Sequence, residues 1–271
     1  MNTTLRLQVG GITGRIGDPS GKSEERPSLG EEDLQYYMHG IQKSAERVFE
    51  GIAQCCNLSL YDIENLQEKK HMSKWVGERR NQEKNKREII KPIVLDNSTF
   101  YKDMPLWEFF GKVGRYFRLS SMLAKETVAN RLSADSSGMS FTEFSYQIFQ
   151  AYDFLHLFLH YGCVLQIGGS DQWGNIVAGT DLIKRARNDF SSLAFHSSQQ
   201  VAPEGLTVPL LTTATGAKFG KSEGNAVWIE PHMTSNVRSA FFLGLLYTLA
   251  VHRFPFCMYT VSSLSVSPKC R

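Results

Sequence analysis

Short apolar runs that stop at glycine-rich turns, separated by long helical stretches, constrain this chain more than any other feature. Leu5 to Gly11 is a strand candidate running into GGITGRIGDPSGK. Val164 to Ile167 is a second, stopping at Gly168-Gly169, and Leu206 to Thr212 a third, leading into TTATGAKFGKSEGN. Ile89 to Leu95 (IIKPIVL) also reads as a buried strand, with Pro92 the objection to it. Between these runs the period changes. From Glu31 to about Cys56 the apolar residues Leu34, Tyr37, Met38, Ile41, Ala45, Val48, Phe49 and Ile52 recur at helical spacing. Leu106 to Phe117 and Ser121 to Leu132 read as helices. Ser140, followed three residues later by Glu143, forms a capping box that opens a longer helix. It runs to about Tyr161 and ends at Gly162, a natural residue for a helix C-terminus. A further helix runs from about Trp173 to Arg187. Strands alternating with helices predict a parallel, doubly wound (Rossmann-like) α/β sheet.

Composition narrows the functional classes. The 271 residues are 42% hydrophobic, far too apolar for a disordered chain. Net charge is only +3, which excludes nucleic-acid binding by bulk charge but not by a local basic face. Gln67 to Lys91 is such a segment, with nine Lys/Arg against four Glu, read as a solvated helix or loop ahead of an RNA contact. The five cysteines are odd in number and contain no CxxC, arguing for a reducing compartment rather than a zinc site or disulfide framework. The N-terminal MNTTLRLQVGGITGR has no signal-peptide pattern, and no targeting segment is visible. The longest membrane-like run, Ala240 to Val251, has 12 residues where a bilayer needs about 20, so a buried helix is expected.

Three places carry possible chemistry. Gly10 to Lys22 ends like a P-loop, but Gly17 and Gly21 enclose only three residues where that motif requires four, so its phosphate cradle is not expected. On the long helix, Tyr146, Gln150 and Asp153 fall within about 60° of one another, forming a polar stripe on an otherwise aromatic segment. Burying a phenol, an amide and a carboxylate there is costly unless they serve a ligand or one another. His156 and His160 on the same helix lack the glutamate of a zinc-protease motif and read as structural or surface residues. The third place is a pair of loops, Gln166-Ile-Gly-Gly-Ser-Asp-Gln-Trp-Gly-Asn175 and Lys218-Phe-Gly-Lys-Ser222. There Asp171 can accept from two ribose hydroxyls, Gln172 can donate to a carboxylate, and Lys218 with Lys221 can form a mobile clamp for phosphate.

GGITGRIGDPSGK, YQIFQAYDF (Tyr146 to Phe154), QIGGSDQWGNI and KFGKS, in this order, resemble the tyrosyl-tRNA synthetases, class I aminoacyl-tRNA synthetases of bacterial or mitochondrial type. The likeness runs from about Val9 to Trp228. It implies activation of L-tyrosine by Mg2+-ATP and transfer to tRNA(Tyr), without a prosthetic group or protein-bound metal, by a homodimer of the mitochondrial matrix or cytoplasm that needs no membrane. It further implies that Asp153 faces the tyrosine hydroxyl, that Asp18, Tyr146 and Gln150 hold its ammonium group, and that Thr13 lines the pocket. Gln172 would orient the substrate carboxylate. Gly169 and Asp171 would hold the ATP ribose, with Ser222 in the ATP loop. Lys22, Arg26, Lys218 and Lys221 would gather around the phosphates as the catalytic cations.

Two parts of the family pattern do not stand in this sequence. None of its seven histidines forms the H-x-G-H of the family's HIGH-type motif. After about Ile229 the composition departs from the family, with Glu230 the single acid in a run rich in Phe, Leu, Tyr and Val. The expected organisation is a partial catalytic domain over residues 1–229 and a divergent apolar tail over 230–271, with the activity of the chain open. A tryptophanyl enzyme is the alternative within the class. A non-catalytic RNA-binding or interaction protein that keeps the synthetase fold is the alternative outside it.

Overall fold

The computed structural model describes residues 5–20, 29–55, 58–61, 87–90, 92–133, 138–186, 188–190, 201–210 and 232–234. Strand β1 (Arg6–Val9) ends in the glycine turn and passes through a single helical turn, α1 (Thr13–Ile16). The long helix α2 (Glu31–Cys55) follows, with Glu31, Glu32 and Asp33 in its first turn, where acids complement the helix dipole. Then come β2 (Leu58–Tyr61), β3 (Arg87–Ile90), β4 (Ile93–Asp96) and the short helix α3 (Ser98–Tyr101). Helices α4 (Leu106–Lys112), α5 (Leu119–Leu123) and α6 (Glu126–Ser133) precede α7 (Phe141–Tyr161). Strand β5 (Leu165–Gly169), helix α8 (Trp173–Ala186) and strand β6 (Glu204–Val208) complete the order.

Every strand pairing among the described residues is parallel: β1 with β4, β2 with β3, and β5 with β6. Parallel neighbours require crossover connections, and α8 makes the one between β5 and β6. The α/β expectation therefore holds, as three two-stranded parallel pairs. At the end of the first pair β1 and β4 come very close, since a Cβ on Gly11 would fall 2.1 Å from Asp96 Oδ1. Only glycine fits there.

Several element boundaries differ from expectation. Ile89 to Leu95 is not one strand but the ends of two, β3 and β4, which belong to different pairs. Pro92 lies between them and cannot donate to a ladder. The helix expected from Leu106 to Phe117 stops at Lys112 and gives way to a 3₁₀ turn at Gly114–Tyr116. That expected from Ser121 to Leu132 is two helices, α5 and α6, with Ala124 and Lys125 between them. Strand β5 does not stop at Gly168-Gly169 but includes both, paired with Thr207 and Val208. Strand β6 begins earlier than expected and ends at Val208, where Pro209 follows. The basic segment lies outside the described residues apart from β3, as does the run from Ala240 to Val251.

Helix α7 is the axis of the core. Its N-cap is as expected, Ser140 Oγ accepting from the Glu143 amide at 3.2 Å, and Gly162 closes it in the left-handed conformation at φ 64°. Ala151, Phe154, Leu155 and Phe158 are fully buried and pack with Leu182 and Ile183 of α8 on one side and with Phe109 and Val113 on the other. Among the described residues, α8 is the helix that packs on the β5–β6 pair. Leu165, Ile167, Leu206 and Val208 remain about half exposed.

Candidate functional site

Of the expected site residues that lie within the described structure, Thr13 and Asp153 share one hydrogen-bonded cluster and Asp18 and Gln172 another, at the ends of β1 and β5. Ligands of open α/β sheets bind at such strand ends.

The first cluster surrounds Asp153. Its carboxylate has no solvent exposure. Oδ2 accepts from Asn97 Nδ2 at 2.8 Å and from Gln8 Nε2, and Oδ1 accepts from the Tyr101 hydroxyl at 2.7 Å. Asn97, also fully buried, joins three elements. Its second amide hydrogen goes to Thr13 Oγ1 at 3.0 Å, and its Oδ1 accepts from the Ile12 amide at 2.8 Å. The expected residues Thr13 and Asp153 are thus connected through a side chain that the sequence did not single out. Burial pushes the Asp153 carboxyl up to about 7, and the three donors from Asn97, Tyr101 and Gln8 act against that rise. The Tyr101 phenol is pushed up as well, first by burial and then by the Asp153 charge. Neighbouring Tyr152, pushed up to about 12 by burial and the Asp153 charge, points its hydroxyl to the Phe100 carbonyl at 3.3 Å. Tyr146 and Gln150 lie on α7 two turns and one turn before Asp153 respectively and are half-buried.

The second cluster joins the two glycine-rich loops across 154 sequence positions. Gln172 Nε2 donates to Asp18 Oδ2 at 2.7 Å. Asp18 Oδ1 accepts from the Ser20 amide at 2.9 Å and from Asn175 Nδ2 at 3.4 Å. Asn175, buried at the start of α8, also reaches Ser20 Oγ at 3.2 Å and Gln172 Oε1 at 3.3 Å. An acceptor carboxylate and a donor amide therefore stand side by side in a partly buried setting. Nearby Gly169 is closely approached, since a Cβ there would meet the side-chain ends Asp171 Oδ1 and Leu210 Cδ2, each at 2.7 Å. Lys22, Arg26, Lys218, Lys221 and Ser222 lie outside the described residues.

The two histidines of α7 belong to neither cluster. His156 stacks on Phe100 with centroids 4.1 Å apart and is pushed down to about 4 by burial, while His160 is exposed. A cavity of about 90 Å³ lies apart from both clusters, lined by Tyr116, Arg118, Lys125, Gln147, Asp181 and Arg185 among others, and no expected site residue borders it. Among the described residues, no helix is long and apolar enough to cross a membrane.

Paired glycine loops at parallel strand ends, with a carboxylate–amide pair between them, form the kind of crevice in which open α/β folds bind ligands. The chain belongs to the class I tRNA synthetases (W and Y), whose family model matches residues 2–241. It is 41% identical over 227 residues to the mitochondrial tyrosine–tRNA ligase of Drosophila melanogaster, covering 84% of this chain and 41% of that protein. It is likewise 41% identical over 228 residues to the tyrosine–tRNA ligase of Protochlamydia amoebophila, covering 84% and 43%. The fold is similar to that of a C-terminally truncated mitochondrial tyrosyl-tRNA synthetase of Aspergillus nidulans, with a TM-score of 0.60, 27% identity, and coverage of 87% of this chain and 56% of that one. The chain spans about two fifths of the length of the curated relatives it matches. ATP is a substrate of the family.

Proposed function

We propose that this chain carries the amino-acid side of a tyrosine–tRNA ligase site. The observation that carries the reading is the placement of Asp18 beside Gln172 together with a second carboxylate, Asp153, in a buried polar cluster. Asp18 suits an α-ammonium and Gln172 the adjacent α-carboxylate, the two charged ends of one amino acid. Thr13, Tyr146 and Gln150 complete the surroundings of that substrate, and Asp153 suits a phenol hydroxyl. A carboxylate facing a phenol favours tyrosine over an indole side chain, and the matched relatives named above are tyrosine enzymes.

In the whole reaction the tyrosine carboxylate attacks the α-phosphate of Mg2+-ATP. Tyrosyl-adenylate forms and pyrophosphate leaves, and the tyrosyl group then passes to the terminal ribose of tRNA(Tyr). A carboxylate is already ionised at neutral pH and needs no general base, so the protein's task is positioning and charge stabilisation. Gly169, Asp171 and Ser222 would serve the nucleotide, and Lys22, Arg26, Lys218 and Lys221 the departing pyrophosphate. Helix α4 exposes Leu106, Trp107 and Phe110, which supports a homodimer, testable by sedimentation. The compartment in this reading is the mitochondrial matrix or the cytoplasm. The test of the reading is ATP–pyrophosphate exchange with each of the twenty amino acids, alongside calorimetric binding of tyrosine and phenylalanine. Preferential tyrosine binding supports it, and equal binding of the two overturns it.

A further inference from the structure

Asp153 has no exposed surface, so an incoming hydroxyl can reach its carboxylate only where a resident group moves aside. Oδ2 already accepts two hydrogen bonds, from Gln8 and Asn97, which use both of its lone pairs. Oδ1 accepts one, from Tyr101. The residents differ in what else they can do. Both amide hydrogens of Asn97 are committed, one to Asp153 and one to Thr13, and its oxygen holds the Ile12 amide. The Tyr101 hydroxyl has a single proton but two acceptors within reach, Asp153 Oδ1 at 2.7 Å and the Phe149 carbonyl at 3.0 Å. It can release Asp153 without being left unpaired.

We propose that Tyr101 is a specificity-determining residue whose phenol holds the substrate hydroxyl's place on Asp153 Oδ1 and yields it by turning its proton to the Phe149 carbonyl. This rests on the tyrosine reading above and adds the residue that regulates access to Asp153. The exchange has a direct consequence for selectivity. When tyrosine binds, one hydrogen bond to Asp153 replaces another. When phenylalanine binds, Tyr101 keeps its bond and the carboxylate is never bare. The resident phenol therefore protects the buried charge at the expense of discrimination, because an unpaired buried acceptor would otherwise penalise phenylalanine.

Tyr101→Phe removes one oxygen and little volume. Calorimetric affinities for tyrosine and phenylalanine, measured at a pH above 8 where the carboxylate is ionised, should show the tyrosine-to-phenylalanine ratio rising by about tenfold or more. Tyr152→Phe serves as the control, since the Tyr152 hydroxyl bonds the Phe100 carbonyl rather than Asp153, and its ratio should match that of the unsubstituted chain. A ratio in Tyr101→Phe that is unchanged or lower overturns the exchange while leaving the tyrosine reading intact. Equal binding of the two amino acids by the unsubstituted chain overturns that reading and the exchange with it. Should Tyr101→Phe melt differently from the unsubstituted chain, labelling tyrosine ring carbons decides the question in the native chain. The Tyr101 Cζ resonance should move on adding tyrosine and stay in place on adding phenylalanine, and any other pattern overturns the exchange.

Discussion

The two clusters of the site are built on opposite plans. Around Asp153 the carboxylate and Asn97 are fully buried, Thr13 is buried and Gln8 and Tyr101 are half-buried, and the five make a continuous hydrogen-bonded set. In the second cluster Asp18 and Gln172 themselves are only partly buried, sit on turns after β1 and β5, and pair loop to loop. The first plan suits recognition of one hydroxyl in a dry place, where each hydrogen bond to the carboxylate weighs more than it would in water. The second suits, in the proposed reading, the charged ends that all amino acids share. Helix α7 sets the first environment and the loops set the second.

Breaking the dry region at its support should give the largest effect. Glu143, at the first turn of α7, pairs with Arg131 of α6 at 3.0 Å, and both side chains are almost wholly buried. Arg131 also bonds the Gly138 carbonyl at 3.1 Å. Removing one partner of a buried pair leaves the other charge uncompensated, which costs about 3–5 kcal/mol. Glu143→Gln should therefore lower stability by about that amount in urea unfolding. A loss below about 1 kcal/mol would show that water reaches Arg131 and that α7 is less dry at this end.

The open region is tested by which ligands a change affects. Asp18→Asn removes the negative charge that, in the proposed reading, faces the ammonium group common to tyrosine and phenylalanine. Affinity for both should fall together by about 1.5–3 kcal/mol, or roughly 10- to 150-fold, in calorimetry. Asp153→Asn should instead change the ratio between them. If Asp18→Asn altered the ratio, the division of labour between the clusters would be wrong.

What the sequence made legible follows the same division. The stripe of Tyr146, Gln150 and Asp153, the Ser140 cap and the Gly162 stop are local patterns on one helix, and the structure reproduces their placement. The loop residues Asp18 and Gln172 were also expected, although their direct contact follows from the pairing of distant elements. Asn97, Tyr101 and Gln8 were missed. Their partners lie between 48 and 145 positions away, and nothing in DNSTFY marks an asparagine that three elements will share. The one available signal was its position just after a strand candidate. The apolar run IIKPIVL misled in the other direction, because it hid the exchange of strand partners between β3 and β4 that Pro92, the objection to a single strand, marked.

A smaller effect should come from the cap of α7. Ser140 Oγ accepts the Glu143 amide, one of the donors that a helix start leaves without a partner in its own ladder. Ser140→Ala should cost about 1 kcal/mol in urea unfolding. Tyrosine affinity should hardly change, because Asp153 lies more than three turns further along the helix. A large loss of tyrosine binding would mean that the two ends of α7 are coupled more tightly than the packing implies.

The smallest expected effect is the most informative about Asp153, and it is a matter of pH. Burial favours the neutral carboxyl and raises it to about 7. An unfolded aspartate titrates at about 3.9, so the folded chain holds this proton more tightly. Asp153 therefore contributes stability that is full below about pH 4 and is lost progressively as pH rises to about 7. Recognition runs in the opposite sense. A phenol donates more strongly to a carboxylate than to a carboxylic acid, so preference for tyrosine over phenylalanine should grow as pH rises through about 7. Because Tyr101 shares the oxygen, the gain should be limited to about 0.5–1 kcal/mol, or roughly two- to fivefold in the affinity ratio. Paired calorimetric titrations from about pH 6 to about pH 8.5 measure it, with Asp153→Asn expected to give a flat profile. A ratio that falls with rising pH, or a mutant profile that follows the unsubstituted chain, would place the titrating group outside the dry cluster.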